Sequence, residues 1–423
     1  MDIKQLYAHL LSLKDPWYVD SVEIDDQGNR VDVYVKHNPI RVACPICNEF
    51  FGMYDHAPER IFEHLSTCHM RTFVHMRLPR VNCSKHGIKQ ILSELAEPNS
   101  HMTFAFECRL LDLSKECSIA AVARLSALSW DESQSCIERA VERGLSRKEH
   151  RIPERIGVDE KSFAKGRKFE TLVVDHDRAT VEFVADDNCQ KSLEKFYEKF
   201  TPDEKDKVAV ITMDMWDPFI AATRNHIPDA KKKIVFDRFH VIRYATDAVD
   251  KVRKIENALL QESGNTMLKG TKYLWLWNPE NIPEWRVPEF KELQEYDLDV
   301  SRAWAIKENL KHLWDYHSEA WARKFFKKWY YWATHSRLEP IIKAAHTIKN
   351  HFENIVTYVH HHITNAVVEG LNNKIEKVKR MAYGYRNRAH YRAMIYFHCG
   401  GLDLVPRPPT SCQIKWAPAA YSI

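Results

Sequence analysis

The chain of 423 residues has few glycines, 12 in all, and lacks both the GxGxxG sequence and the Walker A loop. It also contains no GxSxG or HExxH sequence. Dinucleotide-binding, nucleotide-hydrolysing, serine-hydrolase and zinc-protease classes therefore lose their usual sequence support. No apolar run reaches the roughly 18 residues of a membrane span. The N-terminal sequence MDIKQLYAHLLSLKDPW carries an early aspartate and no long apolar stretch, so we expect no signal peptide.

The chain also lacks a strong excess of either charge, because 62 Lys and Arg nearly balance 58 Asp and Glu and leave a net charge of +4. A nucleic-acid-binding surface would therefore have to come from local basic patches. A hydrophobic content of 44% and a charged content of 28% are typical of a folded soluble protein of several domains. Without an export signal, the ten cysteines favour free thiols or metal ligands over disulfides.

Hydrophobic periodicity predicts the order of secondary structure along the chain. Residues 20–90 have the pattern of short alternating strands, and residues 103–145 that of helices. Strand-like and helix-like segments alternate from 155 to 255, which predicts a mixed or parallel sheet with helices packed on it. Residues 256–350 are predicted to be largely helical and contain most of the tryptophans.

Two pairs of soft metal ligands stand near the N-terminus. Cys44 and Cys47 form a CxxC pair, and Cys83 and His86 form a CxxH pair. Four such ligands match the tetrahedral coordination of structural Zn²⁺ and leave no position for a catalytic water, so we predict a zinc ribbon. Three residues between the pairs could replace a ligand: His64, Cys68 and His69. Unpaired cytosolic cysteines are the alternative to a metal site.

A helix-turn-helix pattern follows in residues 118–144, with a short helix (SIAAVARL), a turn (SALS) and a second helix from Trp130 or Asp131. A recognition helix in the major groove would bring four basic side chains toward bases or phosphates. These are Arg139, Arg143, Arg147 and Lys148. The acidic start of the second helix is awkward for facing DNA, and an ordinary packed pair of helices is the alternative.

Two predicted strands carry an aspartate at their ends, Asp159 in IGVDE and Asp214 in VITMD. Carboxylates at the edge of an α/β sheet lie where such sheets keep their sites, although a single one is often a helix cap. Together they suggest a site for two Mg²⁺ ions, which can bind the attacking and leaving oxygens of a phosphodiester. A third carboxylate is expected from a neighbouring helix, and Glu369 is the candidate.

The helix that carries Glu369 is predicted within residues 364–387, TNAVVEGLNNKIEKVKRMAYGYRN. Its apolar stripe is predicted at Val367, Leu371, Ile375 and Val378. Another side of the helix places Glu369 among asparagines. The cations that follow could hold the phosphates beside a scissile bond. They include Lys374, Lys377 and Arg380. Taken alone, the segment also fits an ordinary amphipathic helix.

The segment WARKFFKKWYYW, residues 321–332, mixes aromatic and basic side chains. At helical spacing most of its aromatics are predicted to be core. Stacking on flipped or single-stranded bases is the alternative.

In chain order, these segments resemble the DDE transposases with an RNase H-like core, and more closely the ISL3 insertion-sequence family. The resemblance covers nearly the whole chain, and its last two blocks are the most specific. The blocks are CPIC (44–47), AVARLSALSW (121–130), GVDE (157–160), MDMWDPF (213–219), FDRFHVIR (236–243), NAVVEGLNNKIE (365–376) and YGYRN (383–387).

The resemblance implies an acidic triad of Asp159, Asp214 and Glu369 with two Mg²⁺ ions, which Mn²⁺ could replace, and a structural Zn²⁺. Asp237 and His240 match a D-x2-H signature of several transposase groups; a structural hydrogen-bonded pair is equally compatible with them. The family binds terminal inverted repeats of double-stranded DNA, cleaves there and joins the 3′ ends to target DNA as at least a dimer. A cytoplasmic, nucleoid-associated bacterial protein is expected.

The resemblance also implies an α/β multi-domain fold. The expected parts are a zinc-binding β-rich domain (1–95), a helix-turn-helix domain (100–150), the first part of an RNase H-like core (151–255), a helical insertion (256–350), the last part of the core (351–405) and a tail (406–423). The long separation of Asp214 from Glu369 requires the insertion.

Two other functions stay open at this point. One is a zinc-finger and helix-turn-helix regulator that binds DNA without catalysis, and the other is a metal-dependent nuclease on the same core. Convergence of the three carboxylates would argue against the first, and only a strand-transfer assay separates the second from a transposase.

Overall fold

The computed structural model describes residues 2–38, 41–164 and 168–408. Within them the chain divides into two compact units. The first comprises Met1–Lys148, Lys379–His398 and the chain from Leu402 onward, and the second comprises Glu149–Val378 and Cys399–Gly401. The segment expected to close the core, 351–405, is thus shared between the units. Of the expected tail, residues 409–423 lie outside the described residues. No helix in the described ranges is both long and apolar enough to cross a membrane.

The first unit begins with helix α1 (Ile3–Leu10) and two four-stranded sheets. One sheet has the order β1 (Trp17–Asp25), β2 (Arg30–His37), β6 (Met70–Met76), β5 (Arg60–Thr67), and the other has the order β3 (Arg41–Ala43), β4 (Phe50–His56), β7 (Pro79–Cys83), β8 (Gly87–Gln90). All neighbours are antiparallel except β2 and β6. Val31, Val33 and Val35 are buried on one face of β2 because side chains alternate along a strand.

Helices complete the first unit. They are α2 (Phe104–Glu116), α3 (Ile119–Leu125), α4 (Trp130–Arg147) and most of α18 (Arg388–Cys399). The helical pair predicted within 118–144 is present. Ser118 and Ser129 cap its two helices, and Glu132 completes a capping box with Ser129.

The second unit is built on a five-stranded sheet with the order β11-β10-β9-β12-β13. Its strands are β9 (Arg155–Ala164), β10 (Lys168–Asp175), β11 (Thr180–Asp186), β12 (Val210–Met213) and β13 (Ile234–Phe236). The first three are antiparallel neighbours, whereas β12 is parallel to both β9 and β13. Every residue of β12 is buried, as is typical of a parallel strand covered on both faces.

Helices surround and extend this sheet, in the order predicted from the sequence. Those that follow the strands are α5 (Gln190–Tyr197), α6 (Pro202–Asp206), α7 (Asp217–His226), α8 (Ala230–Lys233) and α9 (Arg238–Glu262). The tryptophan-rich segment contributes α10 (Lys272–Leu276), α11 (Val287–Glu295), α12 (Asp299–Leu310), α13 (Glu319–Thr334) and α14 (Glu339–Asn350). The short helices α15 (Phe352–Val356) and α16 (Tyr358–His361) then lead to α17 (Ala366–Met381).

The buried stripe of α17 differs by one residue from the prediction. Val368, not Val367, is buried together with Leu371, Ile375 and Val378. The reason lies on β9, where a Cβ atom added at Gly157 would collide with the Val368 side chain. The missing side chain of Gly157 therefore gives α17 the space to pack directly on the sheet.

Candidate active site and metal centres

Asp159 and Asp214 lie at the same height on neighbouring strands. In the parallel pairing of β9 with β12, Thr212 stands opposite Gly157. Two residues after this pair, Asp214 follows the end of β12 and Asp159 lies within β9. Because neighbouring strands are about 4.8 Å apart, this register brings the two carboxylates to one edge of the sheet.

The carboxylate of Asp159 is held in a negatively charged and buried setting. The Glu160 backbone N–H donates to its Oδ1 at 2.7 Å, and Asn372 Nδ2 on α17 donates to its Oδ2. Burial, and then the charge of Asp214, raises the pKa of Asp159 to about 6. A cation between the two carboxylates would relieve that repulsion.

Asp237 and His240 extend the same cluster. Met213 pairs with Phe236, so Asp237 follows β13 at the height of Asp214. His240 Nδ1 donates a hydrogen bond to Asp237 Oδ2 at 2.9 Å and lies 2.8 Å from Asp214 Oδ1. Burial alone would lower the pKa of His240, but these two carboxylates raise it to about 10. Its imidazolium therefore offsets part of the negative charge.

A cavity of about 290 Å³ opens at this edge of the sheet. It is lined by Asp159, Glu160, Asp214, Met215, Trp216, Phe219, His240, Arg243, Tyr244 and Asp247. The sequence analysis did not identify Arg243, Tyr244 and Asp247 as candidate site residues. Their spacing of three, four and seven residues from His240 was the available signal, because such positions share one face of a helix.

Glu369 is exposed on α17 and is not among the residues that line this cavity. It lies one turn before Asn372, whose amide binds Asp159, so both side chains project from one face of the helix. On this sheet, the acidic and histidine ligand atoms that lie within 4.8 Å of one another belong to Asp214, Asp237 and His240, among the residues the structure describes. The structure therefore places Asp159 and Asp214 in the lining of one cavity but leaves both Asp159 and Glu369 outside this three-residue cluster.

A buried hydrogen-bond chain ties the start of α17 to the sheet. Thr212 Oγ1 donates to Asn365 Oδ1 at 3.0 Å, so its other partner, His176 Nε2 at 2.7 Å, must be the donor to that hydroxyl. All three side chains are buried. The Asn365 carbonyl accepts the backbone N–H of Glu369 at 2.9 Å. These hydrogen bonds thus fix Asn365, four residues before Glu369, to β12, the strand that Asp214 follows.

Two buried oxygens at this site are incompletely satisfied. Oδ1 of Asn372 accepts no hydrogen bond, and Oδ1 of Asp214 faces only Nδ1 of the protonated His240, at 2.8 Å. A buried polar atom without a partner is costly, and carboxylate and amide oxygens are ligands that hard divalent cations prefer. The residues present therefore fit a divalent cation.

A second cluster lies in the first unit. Cys44, Cys47, Cys83 and His86 have ligand atoms within 4.8 Å of one another. Cys47 Sγ is 3.7 Å from Cys83 Sγ, and His86 Nδ1 is 3.5 Å from Cys83 Sγ and 3.8 Å from Cys44 Sγ. A hydrogen bond from the Cys47 backbone N–H lowers the pKa of Cys44 to about 6, which favours the thiolate that a metal needs.

The predicted alternative ligands lie elsewhere. His64 Nδ1 forms a hydrogen bond with Thr103 Oγ1 at 2.9 Å. Cys68 and His69 are exposed. Around the cluster the buried apolar core consists of only Val42, Cys44, Val81 and Cys83. A core this small needs an additional cross-link for stability, and a tetrahedrally coordinated metal ion at the cluster would provide it.

The basic residues predicted to contact DNA from α4 are engaged inside the first unit. Arg143 is 9% exposed and binds Glu97, Glu107 and the Leu404 carbonyl. Arg139 lies 3.6 Å from Glu107, and Arg147 donates to the Val405 carbonyl at 2.7 Å. Such burial argues against a DNA contact by Arg143, whose guanidinium instead anchors the segment after α18. Lys148 is half-buried at the end of the helix.

The basic residues predicted on α17 lie at the surface. Lys374, Lys377 and Arg380 are exposed. Lys374 and Lys377 belong to the second unit, on the same helix as Asn372, whereas Arg380 falls in the first.

Two family models match the chain, one over each of the regions that hold the two clusters. Residues 156–395 match the ISL3 family model described as transposase, and residues 40–86 match the zinc-finger of transposases IS204/IS1001/IS1096/IS1165. The chain is 25% identical over 372 residues to the transposase for insertion sequence element IS1001 of Bordetella parapertussis, covering 87% of this chain and 91% of that protein. It is 25% identical over 417 residues to the transposase for insertion sequence element IS1557 of Mycobacterium tuberculosis (strain CDC 1551 / Oshkosh), covering 90% and 92%. Since the first match spans more than half of the sequence, the chain belongs to the ISL3 family of insertion-sequence transposases.

Proposed function

We propose that this transposase binds terminal inverted repeats, cleaves phosphodiester bonds there with divalent metal ions and transfers the 3′ ends to target DNA. The observation that carries the proposal is the shared height of Asp159 and Asp214 on β9 and β12, at the mouth of one cavity. A regulator without catalysis would have no use for a carboxylate whose pKa is raised by burial and then by the charge of a second carboxylate in the same cavity.

The sheet of the second unit is, in this proposal, an RNase H-like core. Its order β11-β10-β9-β12-β13, with an antiparallel half and a parallel half, supports that assignment. Helices α10 to α14 then form the insertion that separates Asp214 from Glu369 along the chain.

The catalytic ligands in this proposal are Asp159, Asp214 and Glu369. Two Mg²⁺ ions bound there, with Mn²⁺ as a substitute, would activate the attacking oxygen and stabilise the leaving oxygen. The protein's own part is to hold the ligands. Asn372 fixes the orientation of Asp159, and His240 does the same for Asp214 while supplying positive charge. Glu369 completes the set from the exposed turn beside Asn372.

The first unit has the supporting role of binding DNA ends. We propose that Cys44, Cys47, Cys83 and His86 hold a structural Zn²⁺ and that α3 and α4 act as a helix-turn-helix. Exposed Lys374 and Lys377 on α17 would bind backbone phosphates next to the cleavage site. Two DNA ends held together imply at least a dimer.

Substitution of the three carboxylates tests the proposal. Asp159→Asn, Asp214→Asn and Glu369→Gln are expected to lower end cleavage by at least about a thousandfold, because each removes a ligand whose charge the metal needs. End binding, measured by gel shift, should survive. Glu262→Gln, at the exposed end of α9, is the matched control and should cleave normally.

Cleavage and strand transfer are scored separately with a labelled terminal repeat, Mg²⁺ and a target plasmid. Wild-type-like cleavage by any of the three variants would overturn the assignment of that residue. Cleavage without joined products in the wild type would instead favour a nuclease on the same core.

A further inference from the structure

Helix α13 sorts its aromatic side chains between two faces. The buried face consists of Ala322, Phe326, Trp329 and Ala333. In contrast, Trp321, Tyr331 and Trp332 are 58%, 65% and 43% exposed. The prediction that most aromatics of this segment are core is confirmed, because Phe326 and Trp329 are buried and Phe325 and Tyr330 pack against the core; these three are the exposed minority. Large exposed rings need another explanation.

One line along the exposed face combines aromatic rings and cations. We call it the exposed stripe, and it consists of Trp321, Lys324, Lys328, Tyr331 and His335, each exposed. Their spacing of three or four residues places them on one side of the helix over about 20 Å, at a rise of about 1.5 Å per residue. Lys324 Nζ lies 4.7 Å from the centre of the Trp321 ring, and the rings of Tyr331 and His335 stack with centres 3.9 Å apart.

The charge of this face is one-sided. Glu319 is the only acidic residue of α13, and Arg323 and His360 bind it. Among the residues that the structure describes, no carboxylate forms an ion pair with Lys324, Lys327 or Lys328. The exposed stripe therefore offers positive charge that no carboxylate of the described residues neutralises.

A polyanion that also has flat apolar surfaces is the ligand that fits. Lysines bind phosphates, and exposed aromatic rings stack on bases. In a duplex the base faces are already covered by their neighbours, so these rings can stack only on unpaired bases. An acidic protein surface would also satisfy both the rings and the lysines, and the test below separates that partner from DNA.

We propose that the exposed stripe binds single-stranded DNA, with bases stacked on Trp321 and Tyr331 and phosphates held by Lys324 and Lys328. The choice of DNA rests on the proposed function. The stripe is distinct from the carboxylate site and requires no metal. It gives the protein a surface for an unpaired strand, in addition to the duplex it recognises.

The test uses the purified full chain without added Mg²⁺ and a fluorescent oligo(dT), followed by anisotropy. The wild type is expected to bind this probe more tightly than a duplex of unrelated sequence and equal length. Trp321→Ala and Tyr331→Ala should each weaken binding by about tenfold or more, because stacking on one ring contributes about that much. Lys324→Gln and Lys328→Gln should each make the salt dependence shallower, by about 0.7 in the log–log slope.

Trp285→Ala is the matched control. Trp285 is 78% exposed and also lies beside a cation, but Arg286 is neutralised by Glu289. Loss of this ring should leave oligo(dT) binding unchanged. Melting temperatures of all variants should match that of the wild type, since every substituted side chain is at the surface.

Three outcomes would overturn the proposal: no oligo(dT) binding by the wild type, equal binding by the stripe variants, or equal or tighter binding of the duplex. If Trp321→Ala changes the oligomeric state while oligo(dT) binding persists, the stripe is a protein interface and the proposal is wrong. Asp214→Asn is expected to bind oligo(dT) normally, so loss of cleavage and loss of single-strand binding are separable.

Discussion

His64 shows how one buried side chain sets a pH dependence in the first unit. Burial lowers the pKa of His64 from 6.5 to about 4. Above pH 6.5 the imidazole is neutral in both the folded and the unfolded chain. As the pH falls from 6.5 toward 4, the unfolded chain takes up a proton that the folded chain excludes, so the free energy of unfolding decreases. At pH 5 this loss is up to about 2 kcal/mol.

His64→Asn should remove that part of the acid sensitivity, because asparagine can still bond with the Thr103 hydroxyl but does not titrate. Urea unfolding at pH 7 and pH 5, with equal Zn²⁺, measures the difference. Protonation of the cysteine cluster affects both proteins alike and cancels. His69→Asn, at an exposed neighbouring position, should keep the wild-type pH dependence. Identical losses in His64→Asn and wild type would show that His64 is not the sensor.

At the scale of residues, the sequence predicted the positions of the two strand-end aspartates better than the burial of other side chains. It identified Asp159 and Asp214 because each ends or follows an apolar strand, and the parallel register then brings them together. It misplaced Arg143, because a cation on a helix looks the same whether it faces DNA or a buried acid such as Glu107. It took Val367 for the buried valine because two adjacent valines leave the phase of a helix open.

At the scale of elements, the link between α17 and β12 carries the geometry of the proposed site. Thr212→Val keeps the shape of the side chain but removes the hydroxyl shared by His176 and Asn365. Leaving these buried partners unpaired should cost about 1–3 kcal/mol of stability. It should also raise the Mg²⁺ concentration needed for half-maximal cleavage, because the start of the Glu369 helix is no longer fixed.

Thr212→Ser is the control for that experiment, since serine restores the hydroxyl. Its Mg²⁺ requirement should return close to that of the wild type, although the lost methyl group costs some stability. If the Mg²⁺ requirement of the variants follows their stability rather than the presence of the hydroxyl, the hydrogen bonds of Thr212 have a purely structural role. Metal titration and thermal unfolding on the same preparations separate the two.

The elements themselves were predictable where the hydrophobic period is clear. The alternation of β2 and the strand–helix order from β9 to α9 follow directly from it. Helix α13 marks the limit of this kind of reasoning. Its rings lie on several sides of the helix, so only the packing against its neighbours decides that Trp329 is buried and Trp332 is not.

At the scale of the whole molecule, the sequence predicted the order of strands and helices but not that residues near the C-terminus belong to the N-terminal unit. Residues Lys379–His398 and the segment from Leu402 belong with the N-terminal unit. Contacts that are distant in sequence decide this, such as Arg143 to the Leu404 carbonyl and the close approach of Leu402 to Gly144. No local sequence pattern predicts such contacts, because the two residues of each pair meet only in the folded first unit.

The two units have separate cores and separate candidate metal sites, so their stabilities should respond to different metals. Cys83→Ser should abolish binding of one Zn²⁺ per chain, measured by metal analysis, because it removes a thiolate from the cluster. Amide hydrogen exchange should then rise over 41–90, where the apolar core around the cluster is small. Protection in β9, β12 and β13 should be unchanged, since their core does not depend on zinc.

Cys68→Ser provides the comparison for this zinc experiment, because Cys68 is an exposed thiol in the same part of the chain but outside the cluster. It should retain the metal and the wild-type exchange pattern. If Cys83→Ser kept its Zn²⁺, the ligand set would be wrong. If it lost protection equally in both units, the chain would unfold as one cooperative body, and the cysteine and histidine cluster would stabilise the sheet of the second unit as well as the strands around the cluster.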